Sequence, residues 1–250
     1  MKLNTVSLTG ADDSVDPSSL SQLAQEFPFV EFGILFSNGR QGTERYPSAD
    51  WIVKLMDVCV QYHLDTGNHL KFAAHLCGEY AREFIKGNSD FWLTRWERES
   101  GLFKRIQLNV TDEAFMDINF LDLVVESQRE GHSWDQVIVQ TKRPFERATY
   151  ISSANAALNG RVSLLYDASG GKGISPKSWP SIPAGVKVPC GYAGGINPQN
   201  VDQVLKEITK LPSGVYDSWI DMETGVRNDH GFSLDYCREV LQKSRQYVIR

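Results

Sequence analysis

Three segments in the last third of the chain join polar side chains to closely spaced glycines. Asp167 opens Ala168-Ser169-Gly170-Gly171-Lys172-Gly173. Ala193-Gly194-Gly195-Ile196-Asn197-Pro198 follows, and Asp221-Met222-Glu223-Thr224-Gly225-Val226 comes last. Glycines let backbone N–H groups approach a ligand closely. A helix N-terminus adds a positive dipole end, and the two together bind phosphate. Gly171, Gly173, Gly194, Gly195, Asn197, Glu223, Thr224 and Gly225 are therefore the candidate phosphate-binding residues. Asp167 beside them is a candidate acid, because partial desolvation raises a carboxyl pKa.

Earlier segments offer further groups for proton transfer and binding. Thr9-Gly10-Ala11-Asp12-Asp13 brings two carboxylates, and His75 brings an imidazole that ordinarily titrates near neutrality. Cys77 lies two residues beyond His75. Gln107 and Asn109 are candidate substrate-binding amides, and Gln140 falls at the end of another apolar run. Lys142 beside Arg143 reads either as a Schiff-base lysine or as half of a solvated basic pair.

These residues need a frame that brings their ends together. Eight short aliphatic or β-branched runs read as strands: Thr5–Thr9, Val30–Ser37, Leu70–Leu76, Arg105–Val110, Gln136–Thr141, Val162–Asp167, Cys190–Ile196 and Ser218–Met222. Their starts lie 25 to 40 residues apart, about one βα unit each. Helical patterns fill the gaps. Asp16 with Pro17 predicts the first helix start, with Leu20, Leu23, Ala24 and Phe27 on one face. Ser48 and Ser233 are predicted caps, and Asn197 or Pro198 is expected to open the helix after the seventh strand. TDEAFMDINFLDLVVESQREG reads as one helix, and NSDFWLTRWERESGLF as a short extra helix with Trp92 and Trp96 on one face. The sixth connection, SPKSWPSIPAGVKV, holds three prolines and is a poor helix.

Strands alternating with helices predict a parallel sheet covered on both faces. An open doubly wound sheet is one solution. The count of eight and the length of 250 residues favour a closed (β/α)8 TIM barrel spanning 1–250 as one domain. In such barrels the active site lies in the loops at the C-terminal strand ends, where the polar residues above fall.

Composition excludes several function classes. The net charge is −5, with 41% hydrophobic and 23% charged residues, values of an ordinary globular chain and not of a disordered one. Mild acidity argues against nucleic-acid binding. No apolar run approaches the ~20 residues of a membrane span. The N-terminus lacks a secretion core, so the expectation is a cytoplasmic protein with reduced thiols. Cys59, Cys77, Cys190 and Cys237 are scattered, and His63, His69, His75, His132 and His230 fall in no ligand spacing, so no metal site is expected. No flavin or nicotinamide fingerprint is present, and the expectation is chemistry without a cofactor, by a monomer or homodimer.

The chain resembles the phosphoribosylanthranilate isomerase family from first strand to last helix. LLYDASGGKG resembles that family's sixth strand and Gly-rich loop, YAGGINPQNV its seventh-strand phosphate loop, and WIDMETGVR its eighth strand. IQL resembles its fourth strand, with Asn109 where His is usual, and ERYPS resembles its Ser-Pro-Arg-Tyr segment. The resemblance implies an Amadori rearrangement of a phosphorylated ribosylamine, an aldose-to-ketose type of isomerisation needing an acid and a base. It implies Asp167 as the acid, and Arg45 as the partner of a substrate carboxylate, a role that suits a bidentate guanidinium. Thr9 stands where the family carries its catalytic Cys, and a hydroxyl is a poor base without an activating partner. Asp12, Asp13 and His75 are the other candidates for the base. The alternative is a barrel that binds a phosphosugar or nucleotide without turning it over.

Overall fold

A computed structural model of the chain describes residues 3–88, 102–126, 128, 134–145, 147–212 and 218–249. Eight parallel strands pair in chain order and close into a barrel, β1 to β8. They are β1 (Leu3–Thr9), β2 (Val30–Ser37), β3 (Phe72–Cys77), β4 (Phe103–Asn109), β5 (Gln136–Thr141), β6 (Val162–Asp167), β7 (Cys190–Ala193) and β8 (Ser218–Met222). The helices are α1 (Pro17–Glu26), α2 (Ala49–Thr66), α3 (Glu79–Ile85), α4 (Asp112–Asp117), α5 (Phe120–Glu126), α6 (Ala148–Leu158), α7 (Val201–Ile208) and α8 (Leu234–Ser244). The predicted (β/α)8 barrel is therefore the fold, and the open sheet is not.

Local chemistry sets the helix starts. Asp16 caps α1 by accepting from the Ser18 N–H, with Pro17 at the first helical position. Ser48 caps α2 and Ser233 caps α8 in the same way. Asn197 accepts from the N–H groups of Gln199 and Asn200, so it forms a turn and α7 begins at Val201. The helix expected after β4 is two helices. Ile118 is extended, and Asn119 Oδ1 caps the N–H of Leu121, starting α5 afresh. The proline-rich sixth connection forms no helix. The stretch around Trp92 and Trp96 lies outside the described residues.

Strand alternation sorts the side chains into two environments. Outward-facing Val6, Leu8, Phe32, Ile34, Leu76, Ile106, Leu108, Val137, Val139, Leu164, Tyr192 and Ile220 pack in the large apolar cluster shared with the helices. Inward, Ile138, Leu165, Ala193 and Trp219 form a separate small cluster. The ring of Trp219 fills the space that Gly191 leaves without a side chain. Arg105 lies over that ring at 4.2 Å and pairs with Glu31 at 2.8 Å, so the barrel floor holds a partly buried ion pair. Above this floor, inward positions become polar: Thr9, His75, Gln107, Gln140, Asp167 and Asp221 are all buried.

Candidate active site

All of these side chains but Thr9 line the floor and wall of a cavity of about 530 Å³ at the C-terminal strand ends. Its lining joins His75, Gln107, Asn109, Gln140, Asp167 and Asp221 to the glycines of the last three loops. Arg40, Arg45 and Tyr46 from the loop after β2, and Cys77 at the end of β3, add to it.

Asp221 lies one residue before the end of β8, buried at the cavity wall. Burial pushes its carboxyl up to about 7, with the negative charges of Glu223, Glu31 and Asp167 adding to the shift. The Thr9 hydroxyl opposes them by donating to Oδ1 at 2.7 Å. Asp221 was visible in the sequence only as the start of the last loop. Its signal is parity: it lies two residues past Trp219, on the same inward face.

Asp167 is held differently. Oδ1 accepts from the Ser169 N–H at 3.0 Å and the Ser169 hydroxyl at 2.8 Å. Oδ2 accepts from Gln140 Nε2 and from the Gly171 N–H, both at 2.6 Å. A carboxylate offers about four acceptor positions, and all are occupied. The cluster fixes the loop after β6, and Ser169 Oγ also receives the N–H groups of Lys172 and Gly173. The amides of Gly171 and Gly173, candidates for phosphate, thus point into their own loop.

The remaining glycines form a rim. Gly194 and Gly195 adopt φ of 109° and 65°, which L side chains rarely take. A Cβ at Gly195 would overlap Ser175, and one at Gly225 would overlap the Ile196 carbonyl oxygen. Gly194, Gly195, Thr224 and Gly225 all line the cavity. The Asn197 side chain turns away, donating to the Gly195 carbonyl oxygen and accepting from the turn before α7. Glu223 lies on the rim with its charge met by Arg45, whose Nη1 donates to it at 2.7 Å and to Thr224 Oγ1 at 3.4 Å. Arg45 adopts a left-handed φ of 74°, held there by its N–H donating to Asp12 Oδ2 at 2.6 Å.

Asp12 is a fastener for three loops. It accepts from the Ser14 N–H and hydroxyl, the Arg45 N–H and Arg227 Nη2. Burial pushes its carboxyl up, but the Ser14 hydroxyl, the two amides and the Arg227 charge outweigh that and hold it below the ordinary value. Asp13 fastens α2 through the N–H and hydroxyl of Ser48.

His75 does not carry the near-neutral imidazole expected from sequence. Burial, with the Arg105 charge adding to it, drives its pKa down to about 3, so the ring is neutral at physiological pH. Gln107 Nε2 lies 3.1 Å from His75 Nδ1 and also donates to Asn109 Oδ1 at 3.0 Å. Asn109 in turn donates to Cys77 Sγ. Burial pushes the Cys77 thiol up to about 11 and the Tyr46 phenol up to about 12, so both stay protonated. Among the described residues, no cluster of three His, Cys, Asp or Glu side chains is placed to hold a metal ion. None of the described helices is long and apolar enough to cross a membrane.

No protein-family model matches the chain, and no curated protein does. Among solved structures, N-(5'-phosphoribosyl)anthranilate isomerase from Pyrococcus furiosus superposes with a TM-score of 0.51 at 14% identity, over 97% of this chain and 98% of its own. A Rubisco-like protein from Rhodopseudomonas palustris has a TM-score of 0.48 at 13% identity, over 100% of this chain and 66% of its own. For 3-hexulose-6-phosphate synthase from Salmonella typhimurium the values are 0.46 and 13%, over 99% and 100%. The first of these is a likeness of fold.

Proposed function

We propose that the cavity isomerises a phosphorylated sugar of the ribosylamine or aldose type, with Asp221 as the group that moves the proton. The observation that carries this reading is the Asp221 carboxyl, buried at the cavity wall and pushed up to about 7. A group with a pKa near the working pH serves as acid and as base with little penalty in either direction. On a ribosylamine, Asp221 gives its proton to the ring oxygen as the C1–O bond breaks. The nitrogen lone pair meanwhile forms a C1=N iminium. The resulting carboxylate then takes the C2 proton, the electrons of that C–H bond form a C1–C2 double bond, and the C1=N pair returns to nitrogen. Tautomerisation to the aminoketose completes the rearrangement, and Asp221 ends protonated as it began.

The phosphate rests on Gly194, Gly195, Thr224 and Gly225 in this proposal, the glycine-rich rim that lines the cavity and whose missing side chains let the loops pack closely. Asp167, the acid implied by the family resemblance, shapes the β6 loop beneath that rim. Gln107 and Asn109 face the sugar end. Arg45 meets Glu223, so an anionic group on the substrate would compete for a guanidinium that already has a partner. The Pyrococcus enzyme supports the reading through its name, which specifies a phosphoribosyl substrate and an isomerisation.

Exchange of the C2 hydrogen of ribose 5-phosphate with D2O, followed by proton NMR, tests it. Wild-type protein is expected to catalyse exchange, Asp221→Asn to lose it by about 10²–10⁴-fold, and Asp167→Asn to keep more of it. Retained exchange in Asp221→Asn would reject the assignment. Growth of a tryptophan auxotroph lacking the isomerase tests the narrower activity on phosphoribosylanthranilate itself.

A further inference from the structure

Gln140 is a side chain of the cavity wall that the proton chemistry leaves unused. It faces inward on β5, two residues past Ile138 of the small inner cluster, and lines the cavity. Across to β6 it pairs with Leu165, and Asp167 follows two residues on. Its Nε2 donates to Asp167 Oδ2 at 2.6 Å. Its Oε1 accepts from no described group. Unlike the orphaned atoms sealed in the interior, such as Trp134 Nε1, this oxygen is open to the cavity.

The amide is held in one orientation. Asp167 Oδ1 takes the Ser169 N–H and hydroxyl, and Oδ2 takes the Gly171 N–H beside the Gln140 amide. Turning the amide over would set its carbonyl oxygen against a carboxylate oxygen at 2.6 Å, and two acceptors repel at that distance. Nε2 therefore stays on Asp167, and Oε1 stays turned to the cavity. Asp167 is in register with Ala193 of β7, and Ala193 with Asp221 of β8. Ala193 interposes only a methyl, so the fixed oxygen and the Asp221 carboxyl belong to one continuous stretch of wall.

We infer that Gln140 is a specificity-determining residue whose Oε1 accepts a hydrogen bond from a sugar hydroxyl on C2 or C3. The inference rests on the phosphosugar reading of the same cavity. A carbonyl oxygen only accepts, so it selects a hydroxyl and repels the oxygens of a phosphate or carboxylate. Water can satisfy it while the cavity is empty. A ligand that brings C–H to the same place displaces that water and leaves the oxygen unpaired, which is costly. Sites built to hydrogen-bond a hydroxyl reject the analogue that lacks it for this reason.

Calorimetric titration with ribose 5-phosphate, 2-deoxyribose 5-phosphate and 3-deoxyribose 5-phosphate tests this. One of the two deoxy compounds is expected to bind wild-type protein on the order of tenfold more weakly than ribose 5-phosphate. Gln140→Met removes the acceptor, and the difference between that compound and ribose 5-phosphate is expected to vanish. Gln140→Lys, which keeps a donor for Asp167 and has no acceptor, is expected to behave likewise if Gln140→Met fails to fold. A residue that acted only by holding the Asp167 loop would weaken all three ligands alike and keep the wild-type ratio, and that result would overturn the inference. Three equal affinities in wild-type protein would overturn it too, leaving the phosphosugar reading in place. If none of the three binds, both fall.

Discussion

The Thr9 hydroxyl donates a 2.7 Å hydrogen bond to Asp221 Oδ1, joining the ends of β1 and β8 inside the barrel mouth. This bond stabilises the carboxylate, whereas burial and nearby negative charge favour the acid. Thr9→Val removes the donor and keeps the shape. The Asp221 carboxyl is then expected to titrate above about 7, and exchange activity to require a higher pH. Thr9→Ser restores the donor and the profile. A pH profile unchanged in Thr9→Val would reject the coupling.

Asp221 and His75 tilt the stability curve in opposite directions. The unfolded Asp221 loses its proton from 3.8 upward, but the folded one keeps it to about 7. Between those values the folded state binds more protons, so stability from this group falls as pH rises. For His75 the unfolded ring takes a proton below 6.5, while the folded ring resists to about 3. That stability is full above 6.5 and is lost as pH falls. Each effect is of order a few kcal/mol. Asp221→Asn is expected to gain stability relative to wild type on going from about pH 4 to pH 8, and His75→Gln on going the other way. Urea midpoints across that range measure both. Curves parallel to wild type would contradict the shifts.

The Asp12–Arg227 pair is 2.8 Å long with both side chains 5% exposed. Removing one partner leaves a buried charge and costs about 3–5 kcal/mol. Asp12→Ala is therefore expected to lower Tm by on the order of 10 °C. It should also loosen Arg45, whose strained backbone leans on the same carboxylate. A calorimetric Tm within a degree or two of wild type would show that the loops do not depend on it.

Gly225→Ala tests the rim by sterics alone. The new methyl would overlap the Ile196 carbonyl oxygen, so the backbone must shift, at a cost of about 1–3 kcal/mol. Titration with inorganic phosphate is expected to show weaker binding than wild type, and an unchanged affinity would contradict the rim assignment.

Glu223→Gln frees Arg45 from its 2.7 Å partner at a partly exposed site. Phosphate affinity is expected to rise several-fold, in line with about 1 kcal/mol for such a pair. A fall in affinity would assign Glu223 an attractive role at the rim.

The barrel was legible because each strand is a short run with inward and outward positions of different polarity. β2, β5, β6 and β8 begin and end where the sequence predicts them. Capping chemistry was equally local, so Asp16, Ser48 and Ser233 could be read directly. The break at Ile118–Asn119 was not, because helix propensity and side-chain capping compete there. The set of mouth residues was also largely legible, but not their roles. Asp167, Asp12 and His75 are chemically able residues whose behaviour depends on partners far away in the chain. Gln140 is 27 residues from Asp167, Arg227 is 215 from Asp12, and Gln107 is 32 from His75. Asp221 became the candidate acid only once burial and the Thr9 contact were known.

The most direct test of the assignment is the titration of Asp221 itself, by carbon NMR of protein labelled at aspartate carboxyls, with Asp221→Asn to identify the signal. The predicted midpoint is about 7. A midpoint near 3.8, the ordinary value for an aspartate, would contradict it, because such a group would be a carboxylate at neutral pH with no proton to give.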